Sequence, residues 1–178
     1  MSVYTEIAKQ TIEAYVREGR TPGPEDFDQS NWPAELSDRQ AGAFVTLHIG
    51  EHLRGCIGTI SPTRPTLAEE IIRNAVQAAT RDPRFSAVRA DELDQLSYSV
   101  DVLGEPEPVS DPALLDPRTY GVIVSSGFAR GLLLPDLEGV DTVDQQLSIA
   151  LRKAGIPADA PFEIRRFRVE RHGEGDAE

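Results

Sequence analysis

Only one cysteine, Cys56, occurs in this 178-residue chain, which excludes an internal disulfide and leaves a single free thiol to explain. An unpaired thiol fits a reducing compartment. Histidines number three, His48, His52 and His172, so a thiol enzyme would have few bases to draw on. No apolar run approaches the roughly 20 residues that a membrane helix needs. The opening residues, Met1 to Glu18, carry Glu6, Glu13 and Glu18 and do not read as a signal peptide. Cytoplasmic localisation, away from membranes, is the expectation. Basic residues are scarce, 18 against 30 acidic ones, and the net charge of −12 repels a phosphate backbone at long range. The densest basic stripe, Arg165, Arg166, Arg168 and Arg171, is interrupted by Glu163 and Glu170 and suits a solvated strand better than a nucleic-acid surface. Phosphate-binding glycine loops, nucleophile elbows, Cys-x-x-Cys pairs and dinucleotide fingerprints are all missing, so no cofactor is assigned.

The apolar content, 39%, is that of an ordinary globular protein, and the length suits one domain, expected over residues 1–172 with a disordered tail at 173–178. No sequence repeat or long linker divides the chain. Tyr4, Ile7, Ala8, Thr11, Ile12 and Tyr15 recur at helical spacing and stop at Gly19. Residues 20–39, with Pro22, Pro24 and Pro33, read as an irregular connection. Ala43 to Ile49 and His52 to Ile60 flank Gly50-Glu51 as an antiparallel hairpin. Thr66 with Glu69 makes a capping box before a helix that buries Leu67, Ile71, Ala75 and Ala79. Leu96 to Val102 alternates as a strand and is closed by a loop from Gly104 to Pro108. A second strand pair surrounds Ser126-Gly127, a second capping box is formed by Thr142 and Gln145, and Phe162 to Arg171 reads as one final strand with a bulge. Few helices among many strands predict an α+β fold with a largely antiparallel sheet and flanking helices.

The segment Leu53-Arg54-Gly55-Cys56-Ile57-Gly58-Thr59 places a thiol between two glycines inside a strand, where glycine is disfavoured unless something approaches the backbone or the chain bends. In a regular strand His52, Arg54 and Cys56 share a face, and a neighbouring cation favours thiolate over thiol. With a two-residue turn Val45 pairs with Cys56 and His48 points to the other face, which leaves a histidine partner only if His172 arrives from the last strand. Cys56 therefore reads as a reactive thiol in an anion-friendly pocket or, more plainly, as a small apolar filler. Asp82-Pro83-Arg84-Phe85 supplies a charged corner in which Arg84 suits a carboxylate or phosphate; its plain reading is a helix stop, a surface ion pair and a core plug. The acids Asp101, Glu105, Glu107, Asp136, Glu138 and Asp141 match no metal-binding spacing and read as a solvated face.

The heptapeptide at residues 53–59 resembles the motif by which the AMMECR family is known, and Asp82-Pro83-Arg84-Phe85, Glu92-Leu93 and Tyr120-Gly121-Val122-Ile123-Val124 resemble its later motifs in order. The stretch from Gly131 to Thr142, followed by Arg152-Lys153-Ala154-Gly155-Ile156, is similar to the family's prokaryotic branch, called AmmeMemoRadiSam system protein A. The resemblance implies an α+β fold of two unequal lobes forming a cleft, with the heptapeptide at the suspected site. It also implies a Memo-like protein and a radical S-adenosylmethionine protein as partners, in an enzyme or enzyme subunit acting on a small-molecule or protein substrate. The residues then expected to matter are Cys56 and Arg54 for chemistry, with Gly55, Gly58, Thr59, Asp82 and Arg84 around a substrate. A non-catalytic binding or scaffold module using the same surface is the alternative, because a glycine-flanked strand suits a docking chain as well as a ligand.

Overall fold

The computed structural model describes residues 1–173, so most of the expected tail, residues 174–178, lies outside the described residues. The first helix, α1 (Val3–Glu18), is capped by Ser2, whose side chain accepts from the Thr5 amide, and ends at Gly19 with a left-handed φ of 70°. Its buried face carries Tyr4, Ile7, Ala8, Thr11 and Ile12, as the spacing predicts. The segment read as irregular contains a 3-10 turn at Pro24–Asp26 and a short α-helix, α2 (Ala34–Asp38), which begins directly after Pro33 and buries Leu36. A five-residue helix is too short to announce itself by periodicity.

Strands β1 (Ala43–Ile49) and β2 (His52–Gly58) form the expected hairpin, with Gly50 taking the positive φ of the turn. Helix α3 (Leu67–Thr80) follows under the Thr66–Glu69 capping box, and β3 (Leu96–Leu103) pairs antiparallel with β1. Beyond Leu103 come β4 (Glu107–Val109), the hairpin β5 (Gly121–Ser126) and β6 (Ala129–Leu133), α4 (Val143–Ala154), β7 (Glu163–Phe167) and β8 (Val169–His172). Two four-stranded sheets result, ordered β2-β1-β3-β8 and β4-β7-β5-β6. The α+β class is as expected, with two sheets where the sequence suggested one.

Two stretches depart from expectation. Glu107–Val109, read as loop, is a strand; Pro108 is tolerated there because β4 is an edge strand whose missing N–H need not face a neighbour. The stretch Phe162 to Arg171 is two strands, β7 and β8, which belong to different sheets.

The described residues divide into two compact units, Met1–Val102 together with residues 171–173, and Leu103–Glu170. In the first, α1 and α3 cover a core of Val45, Leu47, Leu67, Ile71, Ala75 and Val100. In the second, α4 covers Val122, Val124, Leu133, Leu147 and Leu151.

The units share one plan: hairpin, helix, then a strand laid antiparallel beside the hairpin's first strand. In each, a glycine of the hairpin's second strand sits where a Cβ would collide with a helix carbonyl, Gly55 against Ala78 and Gly131 against Ala150. Four residues earlier on each helix a side-chain amide reaches the carbonyl at the hairpin's start, Asn74 to Ala43 at 2.9 Å and Gln146 to Tyr120 at 2.8 Å. The strand following each third strand then joins the other sheet, β4 after β3 and β8 after β7. An architectural repeat is thus present where the sequence shows none.

Candidate functional site

Cys56 lies on β2, the edge strand of the first sheet. The β1–β2 register slips by one residue: Leu47 pairs with Gly55 and His48 with Leu53, so Arg54 is the extra residue of a bulge. A bulge reverses which face the following residues occupy. Thr46, rather than Val45, therefore stands opposite Cys56, and its hydroxyl donates to the sulfur at 3.2 Å. His52 pairs with Ile49 and lies on the face opposite Cys56, which corrects the shared face expected of His52, Arg54 and Cys56. His48 now shares the thiol's face but stands two positions beyond Thr46, about 7 Å along the strand. The third histidine, His172, is stacked on Tyr4 with ring centroids 3.7 Å apart, so it serves α1 and not the thiol.

The outward N–H of Cys56 donates to Asp82 Oδ2 at 2.9 Å. Asp82 thereby supplies the acceptor that a neighbouring strand would otherwise provide. Its side chain is only 2% exposed, whereas that of its partner Arg84 is 55% exposed. Arg84 donates Nε to Oδ1 at 2.9 Å and Nη2 to Oδ2 at 2.7 Å, and its backbone N–H also reaches Oδ1. The Arg84 guanidinium, together with the amides of Cys56 and Arg84, holds the Asp82 carboxyl well below the usual carboxylate range. One carboxylate thus fixes both the strand that carries the thiol and the cation beside it.

Arg54, expected beside the thiol as a catalytic cation, is committed elsewhere. Nε and Nη2 take the two oxygens of Glu92 at 2.8 and 3.0 Å, and Nη1 donates to the Ser86 carbonyl at 3.0 Å. This forked pair ties β2 to the loop that precedes β3. Phe85 lies against both cations, 6.0 Å from the Arg54 guanidinium carbon and 5.5 Å from that of Arg84.

The remaining expected residues separate into packing and pinning. Gly55 is buried against the α3 backbone at Ala78, so the space beside it is filled by protein. Gly58 lies under the Phe44 ring, which takes the place of a Cβ. The Thr59 hydroxyl donates to Glu70 at 2.7 Å and accepts from Asn74 at 3.1 Å, a structural staple between β2 and α3. Of the seven expected residues, Cys56, Asp82 and Arg84 are brought together, while Arg54, Gly55, Gly58 and Thr59 hold the strand in place.

Sequence reasoning missed Thr46 and read Asp101 as part of a solvated acidic face, whereas Asp101 is buried. Asp101 pairs with Phe44 across β1 and β3, so it shares the thiol's face, and it receives Arg171 Nε at 2.7 Å. Burial pushes the Cys56 thiol up from its ordinary value; Thr46 and Arg84 oppose that shift, and Asp101 and Asp82 reinforce it. This direction runs against the thiolate that a nearby arginine alone would favour. Among the described residues no three histidine, cysteine or carboxylate side chains gather as a metal site, and no helix is long and apolar enough to cross a membrane.

The same architecture occurs in an uncharacterised protein of Pyrococcus horikoshii, whose crystal structure superimposes with a TM-score of 0.85 at 32% identity, covering 97% of this chain and 90% of that one. A protein of Thermotoga maritima is 56% identical over 171 residues, 95% of this chain and 96% of its own length. A protein of Clostridium acetobutylicum is 46% identical over 173 residues, which span 96% of this chain but 36% of that longer protein. The AMMECR1 family model matches residues 5–172, from α1 to the end of β8. With the heptapeptide, the fold and nearly the whole length in agreement, this chain belongs to the AMMECR1 family.

Proposed function

We propose that this chain is a subunit of an enzyme system and that the face around Cys56 meets the substrate, with Cys56 working as a neutral thiol and Arg84 holding an anionic group. The observation that carries this reading is the shared Asp82 clamp: a half-buried thiol and a half-exposed guanidinium are fixed by the same buried carboxylate. Preorganisation of this kind suits a ligand whose charge and reacting atom must be placed together. The partners are a Memo-like protein and a radical S-adenosylmethionine protein, as the family resemblance implies, acting in the cytoplasm. A protonated thiol matches a radical partner: it gives a hydrogen atom to a substrate carbon radical, forming C–H. The sulfur radical left behind is restored by an electron from the partner and a proton from water. The alternative, a scaffold that adds a strand at β2, is disfavoured because Asp82 already occupies the Cys56 N–H such a strand would need.

Alkylation of Cys56 against pH tests the neutral thiol. The folded protein is expected to react slowly at pH 7 and to accelerate only above the ordinary thiol range of about 8.5. Because Arg84 opposes the upward shift, Arg84→Gln is expected to move the curve to still higher pH. Fast alkylation at pH 7 overturns the protonated state. The partners are tested by co-purification from the producing cell, with metabolite profiling of a Cys56→Ser strain. Retained partner binding with lost pathway output supports the enzymatic reading, while unchanged output assigns the face to docking alone.

A further inference from the structure

A second site lies on the far side of α3. Glu69, Ile72, Arg73, Val76 and Gln77 recur at helical spacing along one stripe of that helix and face the segment Thr21 to Pro24, which follows α1. Between them is a cavity of about 360 Å³, which Arg64 also lines. Ile72 and Val76 form an apolar floor, and Pro22 and Pro24 stiffen the wall. This combination of apolar lining and a few charged groups is typical of small-molecule sites.

The charges are unusual for this protein. In a chain of net charge −12, Arg64 and Arg73 line one cavity, and among the described residues neither has a carboxylate at ion-pair distance. Both are built into position by Glu70, which is fully buried. Its Oε2 accepts the backbone N–H groups of Thr63 at 2.6 Å and Arg64 at 2.8 Å, which fixes the backbone that presents Arg64. Its Oε1 accepts the Thr63 hydroxyl at 2.9 Å, and that hydroxyl in turn accepts Arg73 Nη1 at 2.6 Å. Glu69 is engaged in the capping box with Thr66. The lining thus presents two cations, Arg64 and Arg73, and one carboxylate, Glu69, with the buried Glu70 carboxylate one hydroxyl behind Arg73.

We infer that this cavity binds a small organic carboxylate, its anion held by Arg64 and Arg73 and its apolar body laid on Ile72 and Val76. The guanidinium fork suits a carboxylate, and the acids Glu69 and Glu70 beside the two arginines disfavour a ligand with more than one negative charge. A dianionic phosphate would bring a second negative charge up to Glu69 and Glu70. The apolar floor selects for a body of several carbons over a bare ion.

Isotope-labelled protein titrated with benzoate, butyrate, acetate and inorganic phosphate provides the test. Benzoate and butyrate are expected to give saturable amide shifts at Arg64, Arg73 and Val76 and to raise the melting temperature, with acetate and phosphate weaker. Arg64 makes no side-chain bond that folding requires, so Arg64→Gln should keep the native spectrum while weakening benzoate about tenfold. Arg64→Glu should abolish binding. Absence of saturable shifts, or equal affinity in a folded Arg64→Glu protein, overturns the site. Phosphate binding as tightly as benzoate overturns the carboxylate assignment.

Discussion

Gly55→Val is expected to unfold the protein or bring it close to unfolding, while Gly58→Val is expected to leave it folded with a smaller loss. At Gly55 the added Cβ would strike the carbonyl of Ala78, part of the backbone of α3, and neither β2 nor the helix can retreat without opening the core of Val45, Leu47 and Ala75. Overpacking of this kind costs about 1–3 kcal/mol where side chains can repack, and more against backbone. Against a total stability of about 5–15 kcal/mol the loss is large. At Gly58 the obstacle is the Phe44 ring, a half-buried side chain that can rotate away. Urea unfolding of the two variants measures the difference. Equal, small losses would mean that open space adjoins Gly55, as a ligand site would require.

Replacing Arg54 is expected to act on stability more than on the thiol. Arg54 and Glu92 side chains are 13% and 19% exposed, so removing the guanidinium strands a mostly buried carboxylate. Arg54→Ala should cost about 2–4 kcal/mol at pH 7, the range for breaking one partner of such a pair. The sign of the pH dependence follows from Glu92, whose carboxyl is held below its ordinary value chiefly by Arg54, with burial opposing. A lowered folded-state value gives stability that is fully present above the unfolded value of about 4.3 and lost as pH falls through the folded one. The gap between wild type and Arg54→Ala should therefore be widest at neutral pH and narrow on acidification. Chemical denaturation at pH 7 and pH 3.5 reads this directly. A gap independent of pH would detach Arg54 from Glu92, and a large change in Cys56 alkylation without loss of stability would return Arg54 to the thiol.

The sequence by itself determined the elements whose causes are local. Capping boxes at Thr66 and Thr142, the glycine stops at Gly19 and Gly155 and the alternation of Leu96 to Val102 each depend on residues a few positions apart, and the structure forms them where expected. The heptapeptide and the Asp82-Pro83-Arg84-Phe85 corner were legible for the same reason, as was the family they resemble. Only the tertiary structure decided what those residues touch. The single extra residue Arg54 turns Cys56 towards Thr46 and away from the face of His52, and no feature of seven residues in a row announces a bulge. Two adjoining extended segments, β7 and β8, have the same local preference, so their assignment to different sheets depends on strands distant in the chain. The repeated hairpin–helix–strand plan rests on contacts such as Gly55 with Ala78 and Gly131 with Ala150, which different surrounding residues satisfy equally well. Whether Cys56 is thiol or thiolate is likewise a tertiary property: the net effect of burial, Thr46, Arg84, Asp101 and Asp82 depends on distances that spacing along the chain does not contain.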